Sequence, residues 1–189
     1  MASIVVLGAG IGGMSVAYEL RALLGKDHPV TVVGEGEQFS FTPSNPWVAV
    51  GWRKPKDIQI GVRPHLARKG IDFENAGAAE VLPAENRIRL RDGRDLAYDY
   101  LVIATGPRLA FDEVPGLGPE GGFTQSICTT GHAHAAWEAY EAFLKDPGPV
   151  VVGAAAGARG GDGGTGGTRS ARHPATAVGS LHLERIRRD

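Results

Sequence analysis

Residues 4–13 read IVVLGAGIGG, an apolar run that passes directly into a cluster of glycines. Four consecutive aliphatic residues are typical of a strand that is covered on both faces. Gly8, Gly10 and Gly13 have the spacing G-x-G-x-x-G. In this pattern the first glycine allows a tight turn, the second lets backbone amides approach a pyrophosphate, and the third permits close packing of helix on strand. The stretch therefore predicts a strand, a turn and a helix whose N-terminus binds phosphate.

The residues that follow complete a βαβ unit. Apolar side chains continue at helical spacing as far as Leu24, and Gly25 is a natural left-handed cap. Residues 30–33 read VTVV and predict the second strand, and Glu35 comes just after it. A carboxylate at this place accepts hydrogen bonds from ribose hydroxyls and disfavours a 2′-phosphate. The alternative is a plain strand-to-helix turn with a solvated acid, but the register of all the elements favours a nucleotide site.

Composition limits the function classes. The chain has 189 residues, is 42% hydrophobic and 22% charged, and carries a formal net charge of -1, which gives no electrostatic footprint for nucleic acid. Cys128 is the single cysteine, so the sequence excludes an intrachain disulfide and a cysteine-ligated metal site, and we expect no metal. We also expect no signal peptide and no transmembrane helix, because the N-terminus lacks a basic region and no long apolar window follows.

Further elements are predicted along the chain. Residues 38–56 contain aromatics and prolines without a period and predict an ordered aromatic loop. The other expected elements are a helix at 62–69, strands at 71–73, 79–82, 87–90, 96–98, 100–104 and 150–152, and a helix at 133–144. Residues 91–94 should form a hairpin turn, and the apolar strand at 100–104 should be buried on both faces within the parallel sheet. The segment at 150–157 resembles the start of a second nucleotide-type βα turn.

The composition changes abruptly after Ala158. Residues 159–189 are rich in glycine and arginine and lack aromatic side chains, which favours either a flexible tail or a segment translated out of frame. We therefore expect a nucleotide-binding domain at 1–110, a connecting segment with the start of a second domain at 111–158, and a separate tail at 159–189. We expect no stable structure from residue 159 to about 178, and the strand at 150–152 should lack neighbours.

Four runs carry a family resemblance: residues 6–13 (VLGAGIGG), 32–35 (VVGE), 41–46 (FTPSNP) and 101–107 (LVIATGP). They resemble the FAD-dependent oxidoreductases with two dinucleotide domains and, through the second and third runs, the sulfide:quinone oxidoreductases. The resemblance implies an α/β, Rossmann-like FAD-binding domain of three layers, with a parallel sheet and a small antiparallel meander. It also implies electron transfer from sulfide through FAD to a quinone, in the cytoplasm or, for the full-length family, at the periphery of a bacterial-type inner membrane. We expect this chain to be an N-terminal fragment whose second dinucleotide-type domain is truncated, so its activity should be impaired; the oligomeric state is left open.

The resemblance also implies the site residues. Those expected to bind FAD are Gly8, Gly10, Ile11, Gly12, Gly13, Glu35, Thr42, Pro43, Ala104, Thr105 and Gly106. Family members use cysteine sulfurs beside the flavin, but one of these positions is Gly160 here, so only Cys128 is left, with His132 four residues on. A helix reaching back to Cys128 would bring the pair together for catalysis, and the alternative is a small buried thiol beside a helix-start histidine. The remaining functional alternatives are a type II NADH:quinone dehydrogenase-like flavoprotein and a non-catalytic nucleotide-binding fragment.

Overall fold

The glycine-rich turn joins a buried strand to a helix, as the sequence predicts. The structure, a computed structural model, describes residues 1–154 and 179–182. Within these ranges the helices are α1 (Ile11–Leu24), α2 (Asn45–Ala49), α3 (Val62–Arg68) and α4 (Thr130–Phe143). The strands are β1 (Ile4–Leu7), β2 (Val30–Val33), β3 (Gln38–Ser40), β4 (Gln59–Gly61), β5 (Asp72–Glu74), β6 (Ala78–Leu82), β7 (Arg87–Leu90), β8 (Asp95–Ala97), β9 (Tyr100–Ile103), β10 (Gln125–Ser126), β11 (Val151–Ala154) and β12 (Gly179–His182).

The chain folds into two compact units. The first consists of Met1–Phe41 and Gln59–Arg108, and the second of Thr42–Ile58 and the described residues from Leu109 onward. The domain limits expected from sequence, 1–110, 111–158 and 159–189, stay predictions. The greater part of the tail lies outside the described residues. The prediction of no stable structure from residue 159 to about 178 concerns residues that lie outside them as well.

The first unit has the three layers expected from sequence. Helices α1 and α3 form one outer layer, and a parallel sheet in the order β5-β2-β1-β9 forms the middle layer. The antiparallel meander β6-β7-β8 forms the other outer layer. Successive side chains of a strand point to opposite faces. Accordingly, Val6 packs with Met14 of α1 and Leu66 of α3, whereas Val5 packs with Ile88 of the meander. The α/β, Rossmann-like fold class with a parallel sheet and an antiparallel meander is confirmed.

The prediction that the strand at 100–104 is buried on both faces is wrong. β9 pairs with β1 and stands at the edge of the four-stranded sheet. Its end residues Tyr100 and Ile103 are 65% and 63% exposed. The apolar run therefore marks a strand of the parallel sheet, but not one that is buried on both faces. An apolar run alone does not distinguish a central strand from an edge strand.

The segment at 38–56 is not only an aromatic loop. It contains β3, which pairs with β4 in antiparallel fashion, and the five-residue helix α2. Elements of three to five residues are too short for a hydrophobic period to become visible. Pro46 stands at the beginning of α2, where the missing N–H of proline costs no intrahelical bond.

The strand at 150–152 was predicted to lack neighbours, and this is wrong. β11 pairs with β12 in antiparallel register, from Val151 opposite His182 to Ala154 opposite Gly179. β12 also pairs with β10, so these strands form a sheet in the order β10-β12-β11. The ladder is made by backbone groups, which four residues from within the tail supply without needing an apolar pattern.

Asp99 links the starts of β1 and β9 and gives a pH-dependent prediction. Its Oδ2 accepts hydrogen bonds from the Ser3 backbone N–H at 2.6 Å and from the Ser3 hydroxyl at 3.1 Å. These bonds, chiefly that from the backbone, hold the pKa of Asp99 below its ordinary value. Because the pKa is lower in the folded state, the ionised Asp99 adds to the free energy of unfolding above the unfolded pKa of about 3.9. This stabilisation is lost as the pH falls through the folded pKa.

We therefore expect Asp99→Asn to lower the urea midpoint at pH 7 and to have a smaller effect near pH 3, measured by circular dichroism. Asp72→Asn, at an exposed position in β5, is the control for removing a carboxylate. An equal loss for Asp99→Asn at both pH values would show that protonation of Asp99 does not contribute to acid sensitivity.

Candidate dinucleotide-binding site

Three strand ends of the parallel sheet converge on the glycine turn. The Gly8 N–H donates to the Val33 carbonyl at the end of β2 (2.8 Å), and the Ala104 N–H donates to the Leu7 carbonyl at the end of β1 (2.7 Å). The turn is thus fixed by backbone bonds on both sides. In open α/β sheets, ligands bind at the carboxyl ends of the strands, which is where this turn lies.

One side of the turn is closed by backbone atoms. Gly8 has a φ of +117°, and a Cβ on it would overlap the carbonyl group of Ala104. A Cβ on Gly13 would overlap the carbonyl oxygen of Gly8, so α1 rests directly against the turn. These contacts assign Gly8 to the turn and Gly13 to helix-on-strand packing, as the motif predicts.

The other side of the turn is open. A Cβ built on Gly10 or on Gly12 would have no neighbouring atom within 4 Å. The first helical hydrogen bond of α1 is donated by the Met14 N–H to the Gly10 carbonyl at 2.9 Å. The N–H groups of Ile11, Gly12 and Gly13 come before it and have no acceptor within the helix. The first turn of α1 contains no acidic residue. An open backbone surface at a positive helix end fits a pyrophosphate.

Glu35 lies two residues after the end of β2, the strand that neighbours β1 in the sheet. Its side chain is 64% exposed, and its Oε1 is 2.6 Å from Nη2 of Arg91. Sequence reasoning missed this arginine, because it lies in the hairpin turn between β7 and β8, more than 50 residues along the chain. A charged residue in a predicted hairpin turn was the only available signal.

Residues 104–106 follow the end of β9, next to Gly8. The close approach of Gly8 involves both the Ala104 carbonyl and the Thr105 nitrogen. Thr105 and Gly106 are exposed, and Gly106 has a φ of +76°, a conformation that glycine adopts without strain. The structure thus brings residues 104–106 together with the glycine turn, within one unit.

Thr42 and Pro43 belong to the second unit, where they form an exposed turn before α2. The two residues after them are buried and anchored: Ser44 Oγ accepts from Arg53 Nη1 at 2.9 Å, and Asn45 Oδ1 accepts from the Thr130 hydroxyl at 3.3 Å. Sequence reasoning missed these polar anchors, since exposed and buried serine or asparagine look alike in sequence.

Cys128 and His132 do not share a helix. α4 begins at Thr130 and its N-cap is Thr129, whose side chain accepts from the His132 N–H at 3.1 Å. Cys128 is half-buried before this cap, so the condition set for the pair, a helix reaching back to Cys128, is not met. The His132 ring lies 5.8 Å from that of Phe111, and its Nε2 is 3.7 Å from a carboxylate oxygen of Glu120. A catalytic role for the pair stays a prediction.

The parallel sheet, the glycine turn with its open and closed sides, and the acid after β2 define a dinucleotide-binding βαβ unit. Residues 2–157 match the pyridine nucleotide-disulphide oxidoreductase family. The chain belongs to this family, and the family binds FAD.

Individual relatives within this family include a sulfide-quinone reductase and an NADH-ubiquinone oxidoreductase. The chain is 41% identical to the sulfide-quinone reductase of Aquifex aeolicus over 154 residues, which are 82% of this chain and 35% of the relative. It is 30% identical to external NADH-ubiquinone oxidoreductase 2 of Saccharomyces cerevisiae over 134 residues, 66% of this chain and 24% of the relative. The crystal structure of the Aquifex aeolicus sulfide:quinone oxidoreductase superposes with a TM-score of 0.71 at 37% identity, covering 78% of this chain and 33% of that one. The chain thus spans about a third of the length of the sulfide-quinone reductase that it matches.

Proposed function

We propose that this chain forms the FAD-binding part of an oxidoreductase of the sulfide:quinone type. The observation that carries the proposal is the glycine turn, which backbone packing closes at Gly8 and Gly13 and which is open at Gly10 and Gly12. A ligand that needs close approach to a helix N-terminus fits this geometry, and a purely structural turn does not require it. The higher identity to a sulfide-quinone reductase than to an NADH-ubiquinone oxidoreductase favours sulfide as the donor.

The residues of the chain have separate tasks in this proposal. The backbone N–H groups of Ile11, Gly12 and Gly13 donate to the pyrophosphate, which approaches over the open backbone of Gly10, and Glu35 accepts hydrogen bonds from the adenosine ribose. Residues 104–106, which follow β9 beside the glycine turn, bind near the flavin in this proposal. The roles near the flavin that the family resemblance implies for Thr42 and Pro43 stay predictions. When bound, FAD supplies a group that takes up two electrons together and releases them singly or in pairs.

The overall reaction balances without another reagent. Sulfide loses two electrons and reaches the oxidation level of elemental sulfur, and the quinone gains two electrons and two protons to become a quinol. Quinones are lipid-soluble, so we propose contact at the periphery of a membrane. Within residues 1–154 and 179–182, the structure contains no helix with both the length and the apolar character needed to cross a bilayer.

The donor is tested by flavin bleaching. The purified chain is loaded with FAD, freed of excess cofactor, and mixed without oxygen with sulfide or with NADH. We expect sulfide to bleach the visible flavin band and added quinone to restore it. Bleaching by NADH alone would favour the NADH-dependent alternative, and a bound flavin that neither donor reduces would favour a non-catalytic fragment.

Cys128 and His132 are proposed for the sulfur chemistry only as the available thiol and a neighbouring base in sequence. Cys128→Ser separates this role from cofactor binding. Retained FAD with loss of bleaching by sulfide would support a role for the thiol. Bleaching at the wild-type rate would exclude Cys128 from the reaction.

A further inference from the structure

Arg91 and Glu35 form a contact that the dinucleotide motif does not account for. The guanidinium Nη2 lies 2.6 Å from the carboxylate Oε1, and both side chains are more than half exposed. The Arg91 backbone is fixed as well, because its N–H donates to the Gly77 carbonyl at 3.1 Å. Arg91 therefore reaches Glu35 from an anchored turn and not from a free loop.

Glu35 is held by its surroundings at two further points. It forms an isolated antiparallel bridge with Ala76 through the backbone. A Cβ added to Gly77 would lie 2.8 Å from Cγ of Glu35, so the glutamate side chain passes directly over this glycine, whose φ is +72°. The side chain is thus guided along Gly77 towards Arg91.

A second ion pair ties the same hairpin turn to the sheet. Arg94 Nη2 lies 2.6 Å from Glu74 Oε2 at the end of β5 and 2.8 Å from Asp92 Oδ2. Hydrogen bonds to these two carboxylates, first Glu74, raise the pKa of Arg94 above its ordinary value. The turn at residues 91–94 therefore has an attachment that does not depend on Arg91.

We propose that Arg91 is a positioning residue for dinucleotide recognition: it orients the Glu35 carboxylate so that this group accepts hydrogen bonds from the adenosine ribose. An exposed glutamate has free rotamers, and ordering them upon binding costs free energy that a preformed ion pair reduces. A carboxylate offers about four lone-pair sites, so one arginine leaves acceptors for ribose hydroxyls. The cation also offsets repulsion between Glu35 and the negatively charged pyrophosphate. The inference rests on the proposed dinucleotide site and deepens it.

The alternative is that the ion pair only fastens the meander to the sheet. Exposed ion pairs contribute little to stability. The two roles differ in what they affect, because fastening changes the unfolding transition, whereas positioning changes discrimination between ligands that differ only at the ribose. The decisive quantity is therefore a ratio of dissociation constants for two such ligands.

Isothermal titration calorimetry with ADP and 2′-deoxy-ADP measures this ratio. We expect wild type to bind 2′-deoxy-ADP about tenfold more weakly than ADP, the usual loss for one hydrogen bond to a charged acceptor. In Arg91→Ala the ratio should fall to about twofold or less, since Glu35 is no longer oriented. Arg91→Lys should restore part of the preference, because a cation returns without the fork of the guanidinium.

Two variants serve as controls. Arg94→Ala removes a guanidinium from the same turn and should keep the wild-type ratio, and Glu35→Gln should abolish the preference whether or not Arg91 is present. If circular dichroism shows that Arg91→Ala does not fold, Arg91→Gln takes its place in the titration, because glutamine keeps most of the side-chain stem.

The outcomes separate this inference from the proposed function. A folded Arg91 variant with the wild-type ratio overturns the inference and leaves the dinucleotide site intact. The same holds if wild type binds ADP without preferring the 2′-hydroxyl. If folded wild type binds neither ADP nor FAD, the proposed function fails, and the inference fails with it.

Discussion

Replacing Gly13 by alanine is expected to unfold the first unit or to leave it barely stable. The added Cβ would overlap the carbonyl oxygen of Gly8 and would lie 2.9 Å from its carbonyl carbon, and both are backbone atoms. Backbone that is fixed by the β2 and β9 bonds cannot move aside as a flexible side chain would. Overpacking costs about 1–3 kcal/mol and occasionally more, and an overlap with fixed backbone belongs at the upper end of this range, a large part of the stability of a small domain.

The neighbouring residue provides the matched control for this change. Gly12 is also in the first turn of α1, but a Cβ there would meet no atom within 4 Å. Gly12→Ala should therefore leave stability unchanged or raise it by up to about 1 kcal/mol, because alanine is the better helix former. Thermal unfolding followed by circular dichroism compares the two variants, and equal melting temperatures would contradict the packing assigned to Gly13.

Replacing Gly10 by alanine is expected to have the opposite profile, with the fold retained and the cofactor lost. Gly10 has a φ of −81°, which alanine adopts without strain, and a Cβ there would meet no atom within 4 Å. That open space lies where the pyrophosphate must approach the helix N-terminus. We expect FAD binding to weaken on the order of a hundredfold, equivalent to about 2.7 kcal/mol.

Gly148→Ala is the control for binding, since a Cβ there also meets no atom within 4 Å and Gly148 is not among the residues expected to bind FAD. Flavin fluorescence titration of both variants gives the dissociation constants. If Gly10→Ala binds FAD as wild type does, the open side of the turn is not where the pyrophosphate binds.

The first βαβ unit was predictable from sequence almost to the residue. β1 and β2 fall on the predicted runs and α1 ends at the predicted Gly25 cap, because strand, turn and helix signals agree locally. The meander was also predictable, since Arg91 and Gly93 mark its hairpin turn between short alternating strands. These elements depend on neighbours in sequence.

The features that the sequence did not reveal depend on distant partners. The exposure of β9 follows from its place at the edge of the sheet, and the pairing of β11 requires residues 179–182. Arg91 reaches Glu35 only because the meander packs beside the sheet. Such contacts are decided by tertiary packing, which a hydrophobic period does not encode.

Titration of the folded wild-type chain with FAD, alongside NADH and NADPH, tests the central claim most directly. We predict saturable binding of one FAD per chain, displaced by ADP and strongly weakened in Gly10→Ala, with NADPH binding more weakly because Glu35 disfavours a 2′-phosphate. Absence of saturable FAD binding up to about 1 mM, a free energy near −4 kcal/mol, or tighter binding of NADPH than of FAD, would contradict the account.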